Sequence, residues 1–407
     1  MILTLNKIEW KYILIGLLYF PPGLIAAMPG LDIFRRLINY SALCISVYSI
    51  FIILNQKKIS GDDARPIGLV LLLILWTSIS TIVNNGLGGC ISFLIIALRL
   101  LGYLCILWKG FIGNELMFYF EGTSIYCELI CILNVISQLI YPNGIYYDST
   151  VSWQGFYLCG NGNSYYAFYL FTMAVLVQKD ILQQEKISIT TLLFNVVLLF
   201  SMSLEDSSTG LVIMLLSLIM VVFSGSKVKK LIKKKYRFFL GLFFGVSTWL
   251  IIFQGWDSQW IKDCVKRILL EDKSFNERGL IWTNTLNNIK YHMLFGMGAA
   301  TGSSTADSDG ILRSTHNTFL QITTVGGIPA LIFFIMIIFC GYNSLKKSRK
   351  LVDNAVYYMV IFISLYMVVY LVEQNPWYTG FYALIFLAHL YGCHSNNSMA
   401  SLFYKCE

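Results

Sequence analysis

The residues best suited to chemistry lie in 254–317, the only long polar interval in a chain of 407 residues that otherwise returns repeatedly to apolar runs. This interval ends in Ser314-Thr315-His316-Asn317, just before another apolar run. Ser314 or Thr315 can cap the helix that follows, which predicts that His316 lies in its first turn. Unpaired amides at such a helix start favour an anion such as pyrophosphate, and the same positive end disfavours imidazolium. A neutral His316 that can accept a proton is therefore the first catalytic candidate.

The rest of the sequence has the composition of a membrane protein. Hydrophobic residues make up 57% and charged residues 13% of the chain, about half the charged fraction of a soluble globule. About twelve apolar runs are close to the ~20 residues that cross a bilayer core. They are 12–28, 37–54, 67–83, 90–108, 117–140, 164–178, 189–204, 210–224, 238–253, 318–340, 355–373 and 377–393. We expect an all-α polytopic membrane protein in which residues 1–407 form one domain and 254–317 a large loop.

Basic residues are unequally distributed between alternate loops. If Met1 is cytoplasmic, the inner segments hold nearly all the loop lysines and arginines, and the short outer loops hold only Arg35 and Arg36. This bias follows the positive-inside rule, from which long translocated loops are exempt. We therefore expect both termini in the cytoplasm and 254–317 on the outer side. The net charge of +8 then reflects topology and contact with anionic lipid, not binding of nucleic acid.

The polar loop contains a helical pattern followed by glycines. Apolar side chains recur at near-helical spacing from Ile281 to Met293, which predicts a helix at the membrane surface. Gly296-Met297-Gly298 is expected to end it, because glycine readily adopts the left-handed cap conformation. Further along, Gly326-Gly327-Ile328-Pro329 is predicted to thin and bend the tenth span.

The order of these motifs resembles a known family. The large outer loop of the O-antigen ligase and polymerase superfamily of bacterial polysaccharide assembly is similar to this series: Arg278-x-x-x-Trp282, Gly296-x-Gly298, His316-Asn317-x-x-Leu320, Gly326-Gly327. The segment that opens a middle span in these proteins is similar to Gly155-Phe156-x-x-x-Gly160-Asn161-x-Asn163-Ser164-Tyr165. The resemblance covers roughly residues 150–330 and implies a GT-C-like fold. Two family arginines are replaced, by Gln154 and within Ser207-Ser208-Thr209.

The resemblance implies a metal-independent membrane glycosyltransferase that uses no cofactor. It would transfer an oligosaccharide from undecaprenyl pyrophosphate to a sugar hydroxyl on the outer face of the bacterial inner (plasma) membrane. Arg278 would bind the pyrophosphate, because guanidinium offers planar bidentate donors. His316 would act as the base for the acceptor hydroxyl. The alternatives are substrate binding or a helix-start contact for His316, and for Arg278 a salt bridge to one of three acids, Glu271, Asp272 or Glu277.

Two other arginines are candidates for the pyrophosphate. Arg313 precedes His316 closely in sequence. Arg99 lies in mid-span, where an unpartnered cation is costly, so an ion pair with Glu121 or Glu128 is the structural alternative. Asp307-Ser308-Asp309 superficially has the Asp-x-Asp pattern of metal-using glycosyltransferases, but a flexible Gly/Ser-rich loop preorganises it little, and no metal is expected.

A second group of polar residues could contact the sugars. The tentative contacts are Asn161, Asn163, Asn317, Glu205 and Asp206, with Glu373 as a reserve base.

The first functional hypothesis is a polymerase that joins lipid-linked repeat units of an O-antigen, capsule or similar polysaccharide. A chain-length regulator and a flippase of the same pathway are its expected partners, beside membrane lipid and the lipid-linked oligosaccharide. A ligase that transfers the finished glycan to lipid A core is the alternative. A transporter or flippase for lipid-linked sugar ranks lower, because the helix-breaking residues are not paired between the two halves of the sequence.

Overall fold

The computed structural model describes residues 7–56, 61–147, 155–205, 207–253, 255–259, 274–299, 305–306, 312–313, 315–348, 353–373 and 375–394. Thirteen α-helices lie in these ranges: α1 Lys7–Tyr19, α2 Gly23–Ala27, α3 Asp32–Leu54, α4 Gly61–Ile112, α5 Leu116–Ile140, α6 Gly162–Gln184, α7 Ile189–Leu204, α8 Ser208–Val222, α9 Ser226–Ile251, α10 Ser274–Tyr291, α11 Thr318–Lys347, α12 Asp353–Val372 and α13 Thr379–Cys393. A short 3₁₀ turn covers Gly255–Asp257, and two antiparallel strands of two residues each, β1 Thr305–Ala306 and β2 Leu312–Arg313, pair in the interval before α11.

The chain is an all-α polytopic membrane protein. In the described ranges, six helical segments are long and apolar enough to cross a membrane, or seven if the bent pair α8 and α9 forms one span. All twelve predicted apolar runs fall on helices, but the number that cross the bilayer stays a prediction. The third and fourth runs share α4, whose 52 residues would extend about 78 Å at 1.5 Å per residue. That length exceeds two bilayer cores, so α4 accommodates both runs.

Helices α4 and α11 are each broken at one glycine. Gly86 has φ 72° and ψ −176°, and Gly327 has φ 70° and ψ −171°, a conformation that is essentially restricted to glycine. The predicted bend at Gly326-Gly327 is therefore confirmed. Pro329 lies just beyond the second break, where its missing amide removes one more helical hydrogen bond.

The segment that follows α10 binds the break in α11. The Met297 amide donates to the Thr324 carbonyl at 2.7 Å and the Gly298 amide to the Val325 carbonyl at 3.0 Å, while the Ile328 amide donates to the Met293 carbonyl at 2.8 Å. Backbone groups released by the kink thus find partners, as buried groups in a membrane protein must. Helix α10 ends at Tyr291, five residues before Gly296, so the prediction that the glycines end the helix is only approximately right.

The centre of the bundle is α12. Of its residues, 14 are buried, among them Tyr357, Tyr366 and Tyr370, against α6, α8, α11 and α13. At its first residue, Asp353 accepts from Lys229 at 2.7 Å and from Lys233 at 2.6 Å, which ties the start of α12 to the start of α9. At its other end the chain leaves α12 at Glu373, beside the start of α11. A rigid, buried helix therefore sets the position of the Glu373 carboxylate.

Candidate active site

Glu373 joins the two residues that the sequence singled out. Its Oε1 lies 3.2 Å from Nη2 of Arg278, and its Oε2 lies 3.4 Å from Nδ1 of His316. The carboxylate is almost fully buried, with 7% of its side chain exposed, whereas the His316 side chain is 33% exposed. Three segments that are distant in sequence, namely α10, the residues before α11 and the end of α12, thus meet at one buried acid. We call Arg278, Glu373 and His316 the central triad.

The start of α11 differs from the prediction. Asn317, not Ser314 or Thr315, is the N-cap, and its Oδ1 accepts from the Leu320 amide at 2.9 Å. His316 therefore precedes the helix and does not lie in its first turn, which corrects the prediction. Its φ of +43° is left-handed, an uncommon conformation for a residue with a side chain. Such a conformation persists only where the surroundings fix it.

Hydrogen bonds around His316 provide that fixation. The Thr315 hydroxyl donates to the Asn317 carbonyl at 3.0 Å, and Nδ2 of Asn317 donates to the Leu371 carbonyl at 2.8 Å. The Thr318 hydroxyl donates to the carbonyl of Glu373 at 2.9 Å and accepts from the Asn375 amide at 3.0 Å. The two residues that follow His316 therefore tie the start of α11 to the end of α12. These hydrogen bonds fix the position of His316 relative to Glu373.

Helix α10 packs against the same region, where the start of α11 meets the end of α12. The Trp282 indole is buried, and its Nε1 donates to the Thr315 carbonyl at 3.0 Å, while Ile281 and Ile289 are also buried. The expected surface helix is therefore packed against the bundle along one side, although Tyr291 at its end is 85% exposed. Because Trp282 follows Arg278 by one helical turn, this anchor places the guanidinium beside Glu373.

Arg278 has a described partner that sequence proximity did not suggest. Glu271 and Asp272 lie outside the described residues, as does the side chain of Glu277, and the described partner is Glu373, 95 residues away. The sequence held one signal for this acid: a lone carboxylate at the end of an apolar run. That signal marked Glu373 as a reserve base but did not connect it to Arg278.

The other proposed pyrophosphate ligands are placed differently. Arg99 donates through Nη1 to Asn39 Oδ1 at 2.7 Å and through Nη2 to the Leu18 carbonyl at 2.9 Å, so it connects α1, α3 and α4. The predicted ion pairs of Arg99 are wrong, because Glu128 pairs with Lys179 at 3.6 Å and Glu121 accepts from Gln183 at 2.7 Å. Arg313 lies in β2, and its side chain is outside the described part of the chain.

The proposed sugar contacts fall into several places. Asn317 is fully buried and caps α11, as described above. Asn161 lies at the start of α6 and lines a cavity of about 450 Å³ beside α1, α2 and α5. Asp206 and the Asn163 side chain lie outside the described residues.

Glu205 ends α7 and accepts from Tyr165 at 3.1 Å and from Gln138 at 3.3 Å. Burial raises the pKa of the nearby Tyr157, and the Glu205 carboxylate raises it further, so this phenol stays protonated at neutral pH. Glu205 thus belongs to a polar group on α5, α6 and α7 whose hydroxyls and amides could also bind sugar.

An apolar cavity of about 210 Å³ opens beside Arg278. Its walls come from α8, α9, α10 and α12 and include Thr209, Ile213, Leu250, Trp282 and Val368. Among the described residues that line it, Arg278 is the only charged one. Such a cavity combines space for a hydrocarbon chain with one fixed cation, which is the requirement for binding a lipid through an anionic headgroup. We call it the donor cavity.

The central triad can bind an anion and accept a proton. Guanidinium has five N–H donors, so one bond to Glu373 leaves several for phosphate oxygens. If Nδ1 of His316 carries the proton that faces Glu373, Nε2 holds the lone pair and can accept a proton from a hydroxyl. With a neutral imidazole the triad has no net charge, and after proton transfer it has a charge of +1. The described residues therefore define a polytopic membrane protein in which a guanidinium, a buried carboxylate and an imidazole meet beside an apolar cavity.

Residues 193–335, about a third of the chain, match the family model described as O-Antigen ligase, and this match supports the resemblance to the O-antigen ligase and polymerase superfamily. The members of this family are membrane enzymes of the glycosyltransferase type. The matched region runs from α7 into α11 and contains Arg278 and His316, whereas Glu373 lies beyond it. No curated protein matches the chain.

Proposed function

We propose that this protein is a polysaccharide polymerase that joins undecaprenyl-pyrophosphate-linked repeat units on the outer face of the bacterial plasma membrane. The observation that carries the proposal is the attachment of His316 and Arg278 to one buried carboxylate beside the donor cavity. A glycosyl transfer from a lipid pyrophosphate needs these parts together: a cation for the diphosphate, a base for the hydroxyl and a groove for the lipid.

In the proposed reaction the donor is the growing chain on its lipid carrier. The part of its polyprenyl tail next to the diphosphate lies in the donor cavity, and the diphosphate accepts hydrogen bonds from N–H groups of Arg278. The terminal sugar hydroxyl of a second lipid-linked repeat attacks the anomeric carbon. As the new C–O bond forms, the bond from that carbon to the diphosphate oxygen breaks, the hydroxyl proton passes to Nε2 of His316, and the polyprenyl diphosphate leaves. A single displacement of this kind inverts the anomeric configuration.

Glu373 positions Arg278 and His316, and its negative charge makes the resting site neutral and stabilises the imidazolium that forms during the transfer. The site is neutral while the imidazole is neutral and becomes positive as the proton arrives, when negative charge accumulates on the departing diphosphate. A charge that appears only as the bond breaks stabilises the transition state more than the bound substrate. Arg313 is a further proposed diphosphate ligand. Asn161, Asn163, Glu205 and Asp206 remain the proposed sugar contacts. Arg99 and Asn317 fit a structural role better, because their side chains already bind neighbouring helices.

The first test is incubation of the purified full chain in nanodiscs with one defined lipid-linked repeat, followed by sizing of the products. We expect a ladder of polymers from the wild type and single repeats only from His316→Ala. Absence of any polymer from the wild type, with the substrate intact, contradicts the proposal. A chain-length regulator and a flippase are expected partners in the cell, and they are omitted from this assay so that polymerisation is measured alone.

The second candidate is the ligase, which the description of the matching family favours. A ligase would use the same donor, the same base and the same bond cleavage, but its acceptor would be a finished lipid A core. Deletion of the gene separates the two. Loss of the polymer ladder with retention of single-repeat products indicates a polymerase, whereas loss of every attached repeat indicates a ligase.

A further inference from the structure

A second and larger cavity lies on the other side of α9. It measures about 500 Å³ and is lined by α9, α10 and α11, including Phe244, Leu286, Phe319, Leu331 and Ile335. Ile251, in the last turn of α9, lines both this cavity and the donor cavity. The end of α9 therefore divides two apolar grooves that share α10 as a wall. We call the larger one the second groove.

The break in α11 contributes to the shape of the second groove. Ile328 and Leu331 follow the kink at Gly327 and line the groove, and the backbone of Met293, at the end of the α10 segment, is bound to Ile328 at 2.8 Å. Interrupted helices open space between neighbours that two straight helices would fill. The groove is thus maintained by the backbone as well as by the size of its side chains.

The described lining of the second groove includes one cation and several neutral polar side chains. Thr283, Asn287 and Lys290 all lie on α10 and line the groove, and Nζ of Lys290 lies 3.4 Å from Oδ1 of Asn287. Within the described part of the chain, Lys290 is the only charged residue that lines it. An apolar groove whose lining holds one ammonium beside neutral polar groups is complementary to a lipid with an anionic phosphate headgroup.

The two grooves present their cations from one helix. Arg278 and Lys290 are separated by twelve residues of α10 (290 − 278), about 18 Å along the axis at 1.5 Å per residue. At 3.6 residues per turn, twelve residues rotate the second side chain by about 120° relative to the first. The two cations therefore face different sides of α10, each toward its own groove.

We propose that the second groove binds the polyprenyl tail of the acceptor substrate, with the acceptor's diphosphate on Lys290. This inference rests on the proposed polymerisation, in which both substrates are lipid-linked. The donor diphosphate lies at the reacting bond, but the acceptor diphosphate lies one oligosaccharide repeat away from its reacting hydroxyl. Two cations about 18 Å apart on one helix fit that difference, because the acceptor glycan can extend from Lys290 to His316.

The test compares two acceptors that differ only in the lipid. One is the lipid-linked repeat, and the other is the same oligosaccharide on a short water-soluble aglycone, with a labelled donor in both reactions. Lys290→Glu removes the headgroup contact, and Leu331→Trp fills the groove. The matched controls are Lys234→Glu, an exposed lysine on α9, and Leu280→Trp, an exposed leucine on α10 that lines neither groove.

We expect Lys290→Glu to raise the concentration of lipid-linked acceptor at half-maximal rate by about ten-fold, the ratio for loss of one charge-assisted hydrogen bond. Leu331→Trp is expected to raise the same concentration because the indole occupies the space of the lipid tail. The rate with the soluble acceptor is expected to stay within about two-fold, as it is for the control variants, which is the scatter of neutral surface changes. Lys290→Arg is expected to restore the lipid-linked reaction. An equal effect on both acceptors, or no effect on either, overturns the assignment of the groove.

A binding measurement separates failure of the groove from failure of the proposed function. A polyprenyl diphosphate with a photoreactive tail is expected to label the α11 peptide that contains Leu331 in the wild type. Leu331→Trp is expected to abolish that label, and unlabelled polyprenyl diphosphate to compete for it. Specific labelling by a protein that makes no polymer would retain the lipid site and reject polymerisation. Polymer formation without competed labelling at this peptide would retain polymerisation and reject the lipid site.

Discussion

Replacement of Glu373 by glutamine tests the central triad most directly. Glu373→Gln preserves the size of the side chain and removes the charge that faces Nδ1 of His316 at 3.4 Å. In the proposed reaction that charge stabilises the imidazolium formed when His316 accepts the proton. Two unit charges at this distance attract by about 1.2 kcal/mol in water and about 4.9 kcal/mol at an effective dielectric constant of 20.

These limits correspond to rate losses of about eight-fold and about 4,000-fold, since each 1.36 kcal/mol is a factor of ten. The carboxylate is 7% exposed and the imidazole 33% exposed, so the medium lies between the limits. We expect kcat to fall about 100-fold, equivalent to about 2.7 kcal/mol. The assay is the initial rate of polymer formation at saturating lipid-linked repeat, with Glu128→Gln as the control because Glu128 forms a separate pair with Lys179.

The result that would refute this reasoning is specific. If Glu373→Gln kept nearly all of the wild-type kcat while His316→Ala abolished polymerisation, the carboxylate would have no part in the proton transfer. A loss of folded protein in detergent would be a different failure, so each variant is first compared with the wild type by size-exclusion chromatography. A lower rate from an equal quantity of monodisperse protein is the informative outcome.

Three further substitutions follow from the same geometry. His316→Ala is expected to reduce kcat by about 10² to 10⁴, the usual contribution of a positioned general base. Photolabelling of the peptides that line the donor cavity by a polyprenyl diphosphate is expected to be unchanged, and weaker labelling of these peptides would indicate that His316 binds the donor. Arg278→Lys retains the charge but loses the planar guanidinium that can contact phosphate and Glu373 together. The donor concentration at half-maximal rate is therefore expected to rise about ten-fold. An unchanged concentration would show that Arg278 does not bind the diphosphate. Gly327→Ala places a Cβ 2.3 Å from the Leu294 carbonyl oxygen at a residue with positive φ, so we expect this variant to have a lower melting temperature in detergent. The control is Gly68→Ala, because Gly68 has open space around it, and this variant is expected to melt like the wild type.

The sequence identified the elements of the site better than their connections. Apolar length and spacing predicted α10, α11 and the bend at Gly327, because these patterns are local. The choice of N-cap was wrong because Ser314, Thr315 and Asn317 are all good capping residues, and local preference does not rank them. The structure selects Asn317, whose amide also reaches the Leu371 carbonyl on α12. A contact between helices thus decided a local feature.

The ion pair of Arg278 had no local signal at all. The acids nearest in sequence were the natural candidates, yet its described partner is Glu373, 95 residues further on. That contact exists because Trp282 anchors α10 on the Thr315 carbonyl and Thr318 binds the end of α12. Both anchors depend on tertiary packing, so the pattern along one segment contains no trace of them. The same reason applies to Arg99, whose partners proved to be Asn39 and a carbonyl of α1.

The charge of the central triad explains how a site with few arginines can release a diphosphate. Gln154 and Ser207 to Thr209 stand where the resemblance leads us to expect arginines, and among the described residues that line the donor cavity Arg278 is the one cation. A permanently strong cationic site would bind the departing polyprenyl diphosphate as tightly as it binds the transition state, and release would then limit the rate. In the proposed reaction Glu373 offsets Arg278 at rest, and the positive charge returns to neutral when His316 loses its proton. The attraction is therefore greatest while the bond breaks and weaker when the product has to leave.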